Sequence, residues 1–153
     1  MKQRRVVVTG IGAITPIGSN LKDFWASLIE GKSGAAPITL FDATNFKTKF
    51  ACEVKDFVPT EFIDRKEARK LDRFCQFAVV VADQAFKDSG LIQEKIDGDR
   101  AGVIWGSGIG GMTTFYTESV NFGTGNGTPR FNPFFIPKLI SDIPAGHISI
   151  KYG

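Results

Sequence analysis

With 153 residues, 42% of them hydrophobic and 23% charged, the chain has apolar material for one folded unit of ordinary size and too little charge for an intrinsically disordered one. A net charge of only +3 excludes a global electrostatic case for nucleic-acid binding, so charge-based recognition must come from local clustering. The two cysteines, Cys52 and Cys75, have no metal-ligand spacing, and no apolar run approaches the roughly 20 residues that span a bilayer.

The chain opens on RRVVVTGIGAITPIG, from Arg4 to Gly18. Val6, Val7 and Val8 are consecutive β-branched residues and predict a strand covered on both faces, as in a sheet sandwiched between helices. Thr9, Gly10, Ile11 and Gly12 then turn the backbone sharply, a use that suits glycine. Lys2, Arg4 and Arg5 ahead of an apolar run imitate a secretory leader, but Gly10, Gly12, Thr15 and Pro16 interrupt it and no A-x-A site follows. A soluble, cytoplasmic protein with free thiols and no membrane association is therefore expected. Leu21, Phe24, Trp25 and Leu28 recur at helical spacing, with Ser19 or Asn20 as N-cap and Gly31 as stop, and predict a helix over Leu21 to Gly31. Lys32 to Thr44 reads as loop. Phe46, Thr48, Phe50, Cys52 and Val54 alternate with polar residues and predict a half-buried strand over Lys47 to Lys55.

Phe57 to Ile63 reads as a linker with a short helical turn at Pro59, followed by the charged run Arg65 to Arg73. Phe74 to Phe86 is apolar on almost every side, which places that helix in the middle of the fold, and Ser89-Gly90 ends it. Ala101 to Trp105 predicts a second buried strand, Gly106 to Gly111 is glycine-rich, and Met112 to Phe122 is helical. Gly123 to Thr128 is a loop, after which Pro133, Pro137 and Pro144 punctuate short helical pieces that run to Tyr152-Gly153.

Gly106-Ser107-Gly108-Ile109-Gly110-Gly111 satisfies G-x-G-x-x-G between a strand and a helix, so an NAD(P)- or FAD-binding domain is one reading. Two features oppose it: no acidic residue near position 130 ends a strand to hold the ribose, and the similar motif at Gly10 has Thr15 in its third glycine position. The other readings are glycines that let turns pack closely on helices, and a loop that lines a substrate channel.

Arg65, Lys66, Arg69, Lys70 and Arg73 share one side of a continuous helix, diluted by Asp64, Glu67 and Asp72. Such a face is either solvated and internally paired or a docking patch for an acidic partner, where clustered charge raises association rate more than affinity. Cys52 and Cys75 read as packed small hydrophobes, His147 is the single histidine, and no nucleophile–base or paired-carboxylate pattern stands out. No catalytic centre and no metal site are expected in these residues.

Taken in order, RRVVVTGIGAITPIG, DRKEARKLDRF, GSGIGG, PFFIPKLI and AGHISIKYG resemble the N-terminal half of an elongating β-ketoacyl-acyl carrier protein synthase, type II. The resemblance runs the whole chain. It implies an α/β, thiolase-like layered αβαβα fold of which residues 1–153 form the N-terminal half, in a cytoplasmic homodimer. It also implies a decarboxylating Claisen condensation that lengthens a carrier-bound acyl chain by two carbons. In that chemistry the acyl group sits on a cysteine thiolate at a helix N-terminus, two histidines assist decarboxylation, and backbone amides hold the oxyanion. The resemblance places the cysteine shortly after Tyr152-Gly153 and both histidines later, so this chain alone is expected to be inactive.

What the resemblance carries onto these residues is binding. Lys66, Arg69 and Lys70 match carrier-protein docking positions, and Arg130 falls where another basic contact is expected, followed by Phe131 where some relatives have lysine. Ile109 matches a residue lining the acyl-chain pocket, and Phe134 or Phe135 completes the neighbouring subunit's pocket. Acyl carrier protein is the implied partner, bringing its own phosphopantetheine, so no cofactor of the chain's own is expected. The alternative is a non-catalytic, ketosynthase-like partner that sets chain length through dimer contact.

Overall fold

The computed structural model describes residues 4–126 and 128–153, so Lys2 and Gly127 lie outside the described residues. Helix α1 (Leu21–Ile29) starts where expected, with the Asn20 side chain accepting from the Asp23 N–H, and stops at Gly31, whose φ of 68° favours glycine. Strands β1 (Ala36–Pro37) and β2 (Phe50–Ala51) pair antiparallel in a short ribbon. Part of the segment expected to be loop is therefore strand. The period-two stretch pairs only at Phe50 and Ala51, and the Ile38 N–H donating to the Lys49 carbonyl extends the contact.

Helices α2 (Arg65–Lys70) and α3 (Arg73–Ser89) replace the single basic helix read from the sequence. The break has a local cause: Leu71 is extended, and Asp72 turns its carboxylate onto the Phe74 N–H to cap α3. Arg73 consequently leaves the basic face; its guanidinium donates to the Val54 carbonyl at 2.8 Å and lies over the Phe57 and Phe77 rings. Helix α3 runs through the core with Cys75, Ala78, Val79 and Val80 buried, and Gly90 closes it in the left-handed region. Leu71, Cys75 and Val79 pack with Ile63, Phe74 and Ile143. Helices α4 (Met112–Thr124), α5 (Phe135–Leu139) and α6 (Ile143–Tyr152) complete the order, α4 lying against α5 and α6 against α3. Asp83 fixes the last contact, accepting from Tyr152 and pairing with Lys151 while Phe86 stacks on Tyr152.

The two buried strands expected at Val6 to Val8 and Ala101 to Trp105 are not paired strands among the described residues. Val6, Val8 and Ile104 are almost fully exposed, so the cover on both faces that β-branched runs call for is missing here. The following loop is nonetheless firmly held on α3: the Ile11 and Ala13 N–H groups donate to Asp88 and Gln84 at 2.9 Å, and Gln84 donates to the Ser19 carbonyl. Gly10 and Gly12 make this approach possible, since a Cβ on either would collide with the α3 backbone at Ala85 or Val81. A cleft of about 1250 Å³ separates these segments, lined by Thr9, Ala85, Phe86, Ile104, Trp105 and Tyr152.

Candidate functional site

Two basic residues of α2 are left unpaired because the nearby acids are engaged by the backbone or by Lys70. Asp64 is the N-cap, accepting from the Lys66 and Glu67 N–H groups, so its charge is spent on the first turn. Glu67 pairs with Lys70 at 2.6 Å, one turn along the same helix. Lys66 and Arg69 are exposed and have no ion-pair partner within the described residues. Of the three α2 positions expected to dock a carrier, then, Lys66 and Arg69 are open cations and Lys70 is partly neutralised. Ala68 is buried beneath them and fixes which face of the helix looks outward.

Arg130 stands apart from this face. It lies after α4, which at about 1.5 Å per residue carries the chain roughly 18 Å from its start. There it rims a cavity of about 300 Å³ together with Asn121, Phe122, Gly125, Asn126 and Thr128. Phe131, the aromatic that follows, is engaged internally, packing against Phe122 and Phe135 with ring centroids 5.4 Å apart in each pair. Phe135 also faces Phe115 at 6.5 Å. Phe134 is 40% exposed and has no part in that ladder. The structure so separates two adjacent candidates, Phe135 built into the fold and Phe134 presented outward.

Ile109 is 68% exposed in the loop between Trp105 and α4. The glycines around it divide by role. Gly110, at φ 84°, and Gly111 press on the α5 backbone, where a Cβ would collide with the Leu139 or Lys138 carbonyl, and the Gly111 N–H donates to the Leu139 carbonyl at 3.1 Å. A Cβ at Gly106 or Gly108 would meet nothing within 4 Å. The place a pyrophosphate takes in the dinucleotide reading, at the N-terminus of α4, is filled by the Asp72 carboxylate. It accepts from the Thr114 N–H at 3.0 Å and from the Thr114 hydroxyl. Sequence reasoning missed this contact, which joins residues 42 apart and leaves no periodic signature.

Cys75 is fully buried, and burial, with the nearby Asp72 charge as a lesser cause, pushes its thiol up to about 12. Cys52 is exposed, just beyond β2 rather than within a strand. His147 is half-buried on α6 beside the buried Ile148. Among the described residues no group of three histidine, cysteine or carboxylate side chains is placed to hold a metal ion, and no helix is long and apolar enough to cross a membrane. The Cys75 shift has a measurable consequence. A thiol held neutral when folded contributes stability that is complete below its unfolded value of 9.0 and is lost as pH rises toward 12. Tyr152, raised by burial and by its bond to Asp83, acts in the same direction. Melting temperature should fall steadily above pH 9, and Cys75→Ala should flatten part of that slope; an unchanged slope would show that the thiol does not contribute.

Comparison with known proteins places this arrangement. The sequence model described as Beta-ketoacyl synthase, N-terminal domain, matches residues 3–153. The chain is 44% identical over 153 residues to 3-oxoacyl-[acyl-carrier-protein] synthase 2 of a Synechocystis strain, covering 100% of this chain and 36% of the relative. It is 45% identical over 152 residues to the protein of the same name from Coxiella burnetii, covering 99% and 36%. It thus spans about a third of the length of these curated relatives. Among solved structures, the ishigamide ketosynthase/chain length factor superposes with a TM-score of 0.87 at 31% identity, covering 97% of this chain and 37% of the other. A type II PKS acyl-carrier protein in complex with its ketosynthase gives 0.79 at 25% identity, covering 99% and 39%. The α/β, ketosynthase-like fold expected from the sequence is therefore the fold observed, although the segments expected as buried strands at Val6 to Val8 and Ala101 to Trp105 are not paired among the described residues. The chain belongs to the β-ketoacyl synthase family and corresponds to its N-terminal domain.

Proposed function

We propose that these residues form the carrier-docking and chain-length-reading part of an elongating 3-oxoacyl-acyl carrier protein synthase, a cytoplasmic homodimer whose nucleophilic cysteine and two histidines lie outside this chain. The observation that carries the docking assignment is the state of α2: Lys66 and Arg69 are exposed and unpaired among the described residues, while Asp64 and Glu67 are occupied. A carrier protein recognised through acidic side chains would meet two unpaired cations, Lys66 and Arg69, beside carboxylates that already have partners in Lys70 and the helix N-terminus. A complex between a carrier protein and a ketosynthase of this fold supports the same partner here.

Lys66 and Arg69 would steer the carrier, Lys70 and Arg130 would add peripheral charge, and Ile109 would line the acyl pocket. Phe134, the outward member of its pair, would reach the neighbouring subunit's pocket, and Phe135 would support it from within. The phosphopantetheine arrives on the carrier, so the chain holds no cofactor of its own. The remaining half of the two-half fold would cover Val6 to Val8, Ile104 and the cleft beside them. In the condensation, carbon dioxide leaves the malonyl group, the resulting enolate carbon attacks the acyl thioester carbonyl, and the enzyme thiolate departs. The two curated relatives, both named as synthases, favour this reading over a non-catalytic chain-length partner. Acyl- and malonyl-carrier protein mixed with the complete polypeptide should yield a β-ketoacyl product two carbons longer with release of carbon dioxide. Decarboxylation without elongation would overturn the proposal.

A further inference from the structure

Asp72, 6% exposed, is the one buried charged residue among the described residues, and its two carboxylate oxygens serve different helices. Oδ1 accepts from the Phe74 N–H at 3.2 Å and starts α3; Oδ2 accepts from the Thr114 N–H at 3.0 Å and from the Thr114 hydroxyl in the first turn of α4. Two residues before Asp72 stands Lys70, the end of the basic helix α2; five residues before Thr114 stands Ile109. The corner is otherwise stiff. Gln76 Nε2 donates to the Ala68 carbonyl at 2.9 Å and so closes the C-terminal end of α2, and Arg73 anchors the start of α3 to Val54. On the far side, Gly110 and Gly111 lock the Ile109 loop onto α5. Between these two rigid pieces, the described hydrogen bonds make one direct link, the carboxylate of Asp72.

We propose that Asp72 is a positioning residue that ties the basic face of α2 to the loop carrying Ile109, so that the docking surface and the acyl-pocket loop are held in one register. The inference rests on the docking reading above. A carboxylate serves this purpose better than an amide, since an ionised group accepts from all three donors at once and its charge complements two helix N-termini. Asp72→Asn would keep the shape but turn one acceptor into a donor that faces an N–H group. Thr114→Val would keep the shape and the α3 cap while removing only the hydroxyl.

The test measures turnover of the complete polypeptide with long-chain acyl-carrier protein, with short-chain acyl-carrier protein and with a small acyl thioester, alongside calorimetric binding of the carrier. For both variants, long carrier-borne acyl chains should lose turnover about tenfold, the scale of one charged hydrogen bond. The small thioester should stay within about twofold, and the double variant should lose little more than Asp72→Asn, as expected for two ends of one contact. Equal loss on all three substrates, following the loss of thermal stability, would reduce Asp72 to a helix cap and overturn the proposal; so would an unchanged chain-length profile. If the unsubstituted protein fails to bind carrier at all, the docking reading falls and this proposal with it. If it binds and only the variants behave as wild type, the docking reading stands alone.

Discussion

Lys66→Glu with Arg69→Glu is expected to weaken carrier-protein binding by about a hundredfold, because two attractive contacts become like-charge contacts that cost several kcal/mol together. Condensation of a small thioester substrate should remain close to wild type, since neither side chain enters the core and the helix itself is undisturbed: its N-cap is Asp64 and its buried residue is Ala68. The two substrates thus separate docking from chemistry. Equal loss with both would remove the docking role from α2. The single Lys70→Glu should do less, because its ammonium is already partly satisfied by Glu67 and the substitution exchanges an existing pair for a repulsion within the helix.

Ile109→Trp is expected to shorten the acyl chains accepted. Ile109 is exposed on a loop whose neighbours Gly110 and Gly111 are wedged against the α5 backbone, so the loop cannot retreat to make room for an indole. The added volume must go into the space ahead of it. Long acyl chains should lose turnover about tenfold or more, the scale of a methylene-sized misfit in an apolar pocket, with short chains nearly unaffected. An unchanged chain-length profile in this variant would remove Ile109 from the pocket.

How much was legible in the sequence depends on whether the cause was local. The start of α1 at Asn20, the central helix through Cys75 and Val79, its stop at Gly90 and the proline-punctuated α5 and α6 all follow from caps, periodicity and breakers within a few residues. The helix break at Leu71 was missed although Asp72 is a good N-cap, because the basic periodicity of Arg65 to Arg73 runs unbroken across it and hides the cap. The strands at Val6 and Ala101 were read from propensity, yet a strand exists only with a hydrogen-bonding neighbour, and none lies beside them among the described residues. For the site, the basic residues were readable but not which of them are free, since that depends on the acids at Asp64 and Glu67. The distinction between Phe134 and Phe135 needed ring positions, and the Asp72–Thr114 contact needed the tertiary fold.

The central claim, that α2 is an electrostatic docking face for an acyl carrier protein, is tested most directly by calorimetric titration of that carrier into the complete polypeptide at low and at high ionic strength. Saturable binding that weakens steeply as salt shortens the screening length to a few ångströms is the expected result. Absence of saturable binding at low salt, or an affinity indifferent to salt and to Lys66→Glu with Arg69→Glu, would contradict it.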